Sequence, residues 1–234
     1  MKTTLSVALA SLVVGCALPQ EPTSSTGEAL DVPLHNPTSV QISLSKITPL
    51  EPPSCVMPPG WLAASPHFDA ELTPLFAMEV NPLLEARPPI AIAVAQEKGA
   101  WSIRASATVT QGALEVFPPD HTTTPSIANM WAAGFATAAP IESAWLAILD
   151  ASSSLVWIPI SNVAVQGTFA TGACTFVSGV VDAQIPSGAG SIAIVTPMAE
   201  RTLGELLDAG GDGADDGGWH VRLTFDASAA AVDF

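Results

Sequence analysis

Basic residues are scarce in this chain: seven Lys and Arg stand against 22 Asp and Glu in 234 residues, a formal net charge of −15. Such a field repels phosphate backbones and anionic lipid head groups, which excludes nucleic acid and electrostatic membrane binding. Charge of either sign is thin, at 12% of residues, while Pro, Gly, Ala, Val, Ser and Thr abound. That mixture disfavours long helices and favours short strands joined by turns. No internal repeat of fixed period is present, so propellers and solenoids are set aside. Missing as well are G-x-S-x-G, H-E-x-x-H and a phosphate-cradling glycine loop, which removes the familiar hydrolases and nucleotide enzymes.

What is present begins at the N-terminus. One cation, Lys2, is followed by an uncharged, mostly apolar stretch of about ten residues that ends with Gly15 before Cys16. It is far shorter than the roughly 20 residues a membrane-crossing helix requires, so it reads as a cleaved export signal spanning residues 1–15. Val13-Val14-Gly15-Cys16 resembles the lipobox of bacterial lipoproteins, with valines where Leu and then Ala or Ser are commonest. That resemblance implies a lipid on the Cys16 thiol, removal of residues 1–15 and acylation of the new amine. Ala17 in the next place implies, by the same resemblance, the outer membrane of a Gram-negative envelope. The alternative is a plain secretory signal cut nearby, where Ala8 and Ala10 also offer small residues. Contact with the membrane is then expected through acyl chains only, two or more of which give stable anchoring.

Residues 16–37 are rich in Pro, Ser, Thr, Gly and Glu with few apolar anchors, the composition of a flexible spacer. From 38 to 234 the chain reads as a single all-β domain. Val40, Ile42 and Leu44 alternate with polar residues; Ile90, Ile92 and Val94 are answered across a turn at 96–99 by Trp101, Ile103 and Ala105. Further strands are expected at 114–117, 143–149, 155–158, 163–169, 177–185, 192–194 and 219–225. Between 49 and 89 prolines interrupt every pattern. Ser65-Pro66 with Asp69 and Glu71 predicts a short helix stopped by Thr73-Pro74, followed by an edge strand over 76–80. Ser126 predicts the cap of a short buried helix reaching 138. Roughly nine strands with one to three short helices make a two-layer antiparallel β-sandwich the economical architecture.

Candidate sites are few. Cys55 and Cys174 are left in an exported chain once Cys16 is lipidated, and they form either a disulfide or two separate buried thiols. Thr202 and Glu205 have the spacing of a capping box. After it, Asp208, Asp212, Asp215 and Asp216 crowd a glycine-rich stretch, the one dense acidic loop. It resembles the calcium loops of EF-hand and dockerin type: Asp208, Asp212 and Asp216 fall on the first, fifth and ninth places and Gly213 on the required glycine. Gly210 replaces the third-place ligand and Trp219 the bidentate Glu, so that any calcium site would be weak. His67-Phe68-Asp69 and Asp120-His121 supply two separated pairs, too few for zinc. Of six tryptophans, Trp101, Trp145, Trp157 and Trp219 sit in apolar strand patterns and are expected in the core; Trp61 and Trp131 lie in less regular segments.

The expectation is a non-enzymatic cell-envelope lipoprotein, a binding or structural module needing no cofactor, with its protein or glycan partner unspecified. One alternative is a calcium-dependent adhesion or glycan-binding module resting on the acidic loop. Another is an envelope hydrolase built on an unrecognised acid pair.

Overall fold

The computed structural model describes residues 53–171, 173–208 and 218–234. Cys16, the spacer, the strand expected at 40–45 and Asp212, Asp215 and Asp216 therefore lie outside the described residues. In chain order the elements are β1 (Gly60–Ala63), β2 (His67–Phe68), α1 (Pro74–Val80), β3 (Ala91–Glu97), β4 (Ala100–Ser106), β5 (Val109–Gln111), β6 (Leu114–Val116), β7 (Ser126–Trp131), β8 (Gly134–Thr137), β9 (Ile141–Leu149), β10 (Leu155–Ala170), β11 (Ala173–Pro186), β12 (Ala193–Val195), β13 (Glu200–Thr202), α2 (Leu203–Asp208) and β14 (Gly218–Ala230). Two short 3-10 helices cover Asn81–Ala86 and Ser187–Ser191.

The protein is all-β and antiparallel, and its two layers are one ten-stranded sheet. Strand β1 is what joins them. Its residues Gly60–Leu62 pair with β3 and Gly60–Ala63 pair with β14. The ladder thus runs β1, β3, β4, β7, β8, β10, β11, β14 and back to β1, each neighbour in space following in the chain apart from the inserted β2, β9, short helices and the β5–β6 and β12–β13 hairpins. That is a closed up-and-down meander, which leaves few strand edges bare. β2 continues β1 along β14, with Phe68 opposite Leu223, and β9 continues β8 along β10 after a two-residue slip. The one free side of β2 is satisfied by the Asn81 amide, which bonds both the N–H and the C=O of Phe68.

Alternation decides which side faces in. On β14, Trp219, Val221, Leu223 and Phe225 are buried while His220, Arg222, Thr224 and Asp226 are exposed. A membrane-spanning barrel has the reverse arrangement, because a charged side chain facing lipid costs about 2–4 kcal/mol near the bilayer midplane. The interior is filled. Trp61 stacks on Phe135 with ring centroids 5.2 Å apart and lies 6.0 Å from Phe169. Glycine makes the room: a Cβ on Gly167 would stand 2.5 Å from the Phe135 ring.

The two ends of the barrel differ. At one, the turn end, lie the start of β1, the tight Lys98-Gly99 turn with both residues at positive φ, the Ala132-Ala133 turn and the β10–β11 turn. At the other, the cap end, the long connections carry α1, the 3-10 helices, β12–β13 and α2.

Three local expectations are corrected. Residues 66–73 are not a helix: His67-Phe68 is a strand, and Pro74 opens α1 instead of ending a helix before it. Proline lacks the N–H that a first helical turn leaves unbonded anyway, so the same residue serves as a start. The edge strand expected at 76–80 is α1 itself, with Phe76, Ala77 and Val80 buried. Residues 126–138 form the β7–β8 hairpin, not a helix; Ala128 and Met130 point inward and Ile127 and Asn129 outward. The expected capping box is present, with Thr202 N–H donating to Glu205 Oε2 at 2.8 Å and Glu205 N–H donating to Thr202 Oγ1 at 3.3 Å.

Candidate functional site

The cysteines come first because they fix where the chain joins the barrel. Cys55 and Cys174 are bonded to each other, their Cα atoms 5.7 Å apart and 119 residues distant in sequence. Cys174, at the start of β11, is buried, and its carbonyl accepts the Trp61 indole N–H at 2.8 Å. The expected division of tryptophans is therefore corrected. Trp61 is fully buried in the core, while Trp101, Trp145 and Trp157 are only half-buried. β1 is too short to display alternation, so sequence pattern could not have placed Trp61.

Trp145 and Trp157 lie on the outer face of β9 and β10, where His121 from the β6–β7 loop fills the space over them. The imidazole stacks on Trp157 at 4.0 Å and meets Trp145 edge-on at 4.6 Å. Thr123 Oγ1 donates to Ser143 O at 2.9 Å and holds the same loop down. This cluster secures a loop rather than offering a bare aromatic platform. His67 sits apart from it on β2, and His220 faces solvent beside Asp182, which accepts from Arg222 Nε at 2.7 Å. Asp182 bonding and charge raise the Arg222 guanidinium above its ordinary value.

Asp208, the first place of the calcium-loop resemblance, accepts the Trp219 indole N–H through Oδ1 at 2.6 Å. One oxygen of the expected first ligand is thus already committed to the residue standing in the place of the missing Glu. Among the described residues no three His, Cys, Asp or Glu side chains converge as a metal site would require.

Two carboxylates that periodicity did not single out are deeply placed. Glu79 on α1 is almost wholly buried and accepts from Thr196 Oγ1 at 2.5 Å and Arg201 Nε at 2.9 Å. It ties the α1 helix to the β12–β13 hairpin. The signal was available: Glu79 falls on the same helical face as Phe76 and Val80. Replacing Arg201 with Met leaves that carboxylate uncompensated, an expected loss of about 2–3 kcal/mol, below the full range for a buried pair because Arg201 is 37% exposed. Glu79→Met with Arg201→Met should recover most of the loss in urea melts, since an apolar pair of similar size needs no partner.

Asp150, in the β9–β10 turn, accepts from the backbone N–H groups of Ser152, Ser154 and Val195 and from Ser152 Oγ. Burial alone would raise its carboxyl, but these bonds outweigh it and hold the group below its ordinary value. A depressed native value means that the ionised form stabilises the fold above the unfolded carboxylate range, and that this contribution is lost as pH falls through the native value. Asp150→Ala should cost about 2 kcal/mol at neutral pH by leaving those N–H groups unpaired, and the gap to wild type should narrow as melts are taken into acid. Asp at 150 with Ser at 152 and 154 is the sequence signature of this turn.

Elsewhere polar groups hold structure in place. Glu115 accepts from Thr108 and Thr110 at 2.7 Å each, beside the Arg87 guanidinium, which donates to Thr108 O. Arg104 lies between the Phe117 and Phe234 rings at 5.2 and 5.0 Å. Burial lowers that guanidinium from its usual value and the nearby Asp233 charge opposes the shift. An open groove of about 820 Å³ lies at the cap end, lined by residues that include Ala64, His67, Ala77, Met78, Pro82 and Glu85. Ser65 and His67 are both among its lining residues, with no hydrogen bond between them among the described residues.

No family model, curated protein or solved structure matches this chain. Its function has to be argued from its own residues.

Proposed function

We propose that the chain is a cell-envelope lipoprotein whose barrel is held on an outer membrane through Cys16 and a spacer, and that the barrel is a binding or structural module rather than an enzyme. The observation that carries the reading is Val13-Val14-Gly15-Cys16 at the end of a short apolar segment led by Lys2. The Cys55–Cys174 bond supports it, since such bonds persist in oxidising compartments outside the cytoplasm. So does the use of Glu79, Asp150, Glu115 and Glu205 as structural acceptors, which leaves them poorly suited to act as a catalytic acid pair. The net charge adds that the barrel is not drawn to anionic surfaces by its field, so anchoring has to be covalent. Cys16→Ser, expressed in the native host, is expected to move the protein from the membrane fraction to the soluble one. Wild type and mutant both appearing in the soluble fraction would refute the anchor.

A further inference from the structure

We infer that the turn end of the barrel is a membrane-contacting face that rests in the interfacial layer of the bilayer to which the chain is anchored, with the cap end held away from it. The inference rests on the anchored reading and adds to it an orientation and a second contact.

Chain connectivity supplies the first part. The first described residues, Pro53 to Pro59, run into β1 at the turn end, and Cys55 is bonded there to Cys174. Whatever leads back to Cys16 therefore leaves the barrel from that end. Residues 16–52 can span on the order of 100 Å when extended, so the chain alone does not dictate which end meets the lipid. The surface has to decide.

Surface chemistry supplies the second part. Val56, next to Cys55, is 92% exposed, and Phe176, two residues beyond Cys174, is 57% exposed. Met57 is half-buried next to Val56, and Trp131 is half-buried at the Ala132-Ala133 turn of the same end. An indole at such a rim suits the head-group layer, which takes one apolar and one polar side of a ring. In the segments that build this end, 53–59, 97–100, 131–134 and the tail after Ala230, the acids are Glu97 and Asp233; Lys98 offsets the first and the nearby Arg104 the second, so the end is close to neutral. The cap end also exposes apolar side chains, Leu72, Met78 and Met198, but differs in charge: Asp69, Glu71, Glu85, Glu200 and Glu205 lie on its connections and Asp208 closes α2, against the two cations Arg87 and Arg201. A body with this charge polarity, brought near an anionic surface, lowers its energy by turning the nearly neutral end toward the lipid and the acidic end toward water.

The test uses residues 16–234 with the Cys16 thiol coupled to maleimide-headgroup phosphatidylethanolamine, in phosphatidylcholine vesicles whose acyl chains are brominated near the head group. Coupling by hand makes the outcome independent of whether cells acylate Cys16. Bromine is expected to quench the share of tryptophan emission that Trp131→Phe removes, and the quenching should persist in high salt. Val56→Ser with Phe176→Ser should lower it several-fold while leaving the melting temperature and the vesicle-bound fraction as in wild type. Quenching no greater than for uncoupled protein mixed with the same vesicles would overturn the inference while leaving lipidation in cells untouched. Quenching that survives both Trp131→Phe and the Val56→Ser, Phe176→Ser pair would overturn it equally, by placing another face against the lipid.

Discussion

Trp61→Ala is expected to cost about 4–5 kcal/mol, the upper part of the range for emptying a buried aromatic site. Three losses coincide at that side chain. The indole is completely buried, so its removal leaves a cavity under the Phe135 and Phe169 rings that pack on it. Its N–H satisfies the Cys174 carbonyl, which would be left buried and unpaired. And it stands on β1, the strand whose two ladders close the barrel, so that loosening it weakens pairing with β3 and β14 together. Since native domains are stable by only about 5–15 kcal/mol, the variant should be close to unfolding at room temperature. Trp61→Phe should keep the stacking and lose the hydrogen bond, for a cost of about 2 kcal/mol. Half-exposed Trp131, truncated to Ala in the same way, should shift the urea midpoint far less. A Trp61→Ala midpoint within error of wild type would show that the barrel does not depend on this strand.

Removal of the Cys55–Cys174 bond ranks beside it. The two cysteines enclose 119 residues, and loop-closure entropy for that length is on the order of 4–5 kcal/mol. Nearly the whole of β1 through β10 lies inside that loop, so the bond restricts most of the unfolded chain. It also fastens the segment that leads into β1, which would otherwise fray from the turn end. Cys55→Ala with Cys174→Ala is expected to lower the melting temperature by about 10–15 °C at this chain length. Reductant added to wild type should reproduce most of the fall. A double variant that melts with the wild type would mean that the reduced chain is already confined by other contacts.

Some of this architecture was legible in the residues and some was not, for physical reasons. The β3–β4 hairpin was legible because Ile92 and Val94 alternate up to a turn containing Gly99, and Ile103 and Ala105 alternate beyond it. The same holds for β14, where four large apolar side chains take every second place. The α2 start was readable from Thr202 and Glu205, because the capping box is a purely local bond pattern. What failed was whatever depended on distant partners. Closure rests on β1 meeting β14, a pairing of Gly60 with Ala230 that no short window contains. The β7–β8 hairpin was hidden because its inward places are held by small or flexible residues such as Ala128 and Met130, which alternate too weakly to outweigh a helical reading. Gly134 reads as a helix weakener, yet its place is set by the sheet, where a Cβ would come within 2.2 Å of the Gly167 carbonyl across the strand. Between 66 and 80 the prolines marked boundaries correctly, but proline marks a helix start as readily as a stop. For the site, the cysteine pair was anticipated as one of two possibilities, whereas Glu79 goes unread because its signal, a place on the Phe76 and Val80 face, exists only once 74–80 is read as a helix, and Asp150 because its serine-rich stretch is legible as a turn without a role for its carboxylate.

The most direct test of the anchored reading is the intact mass of protein extracted from native membranes with mild detergent. A lipoprotein should begin at Cys16, carry the added mass of a thiol-linked lipid and an amine-linked acyl chain, and retain the Cys55–Cys174 bond. A mass that includes Met1, with the Cys16 sulfur unmodified, would contradict it.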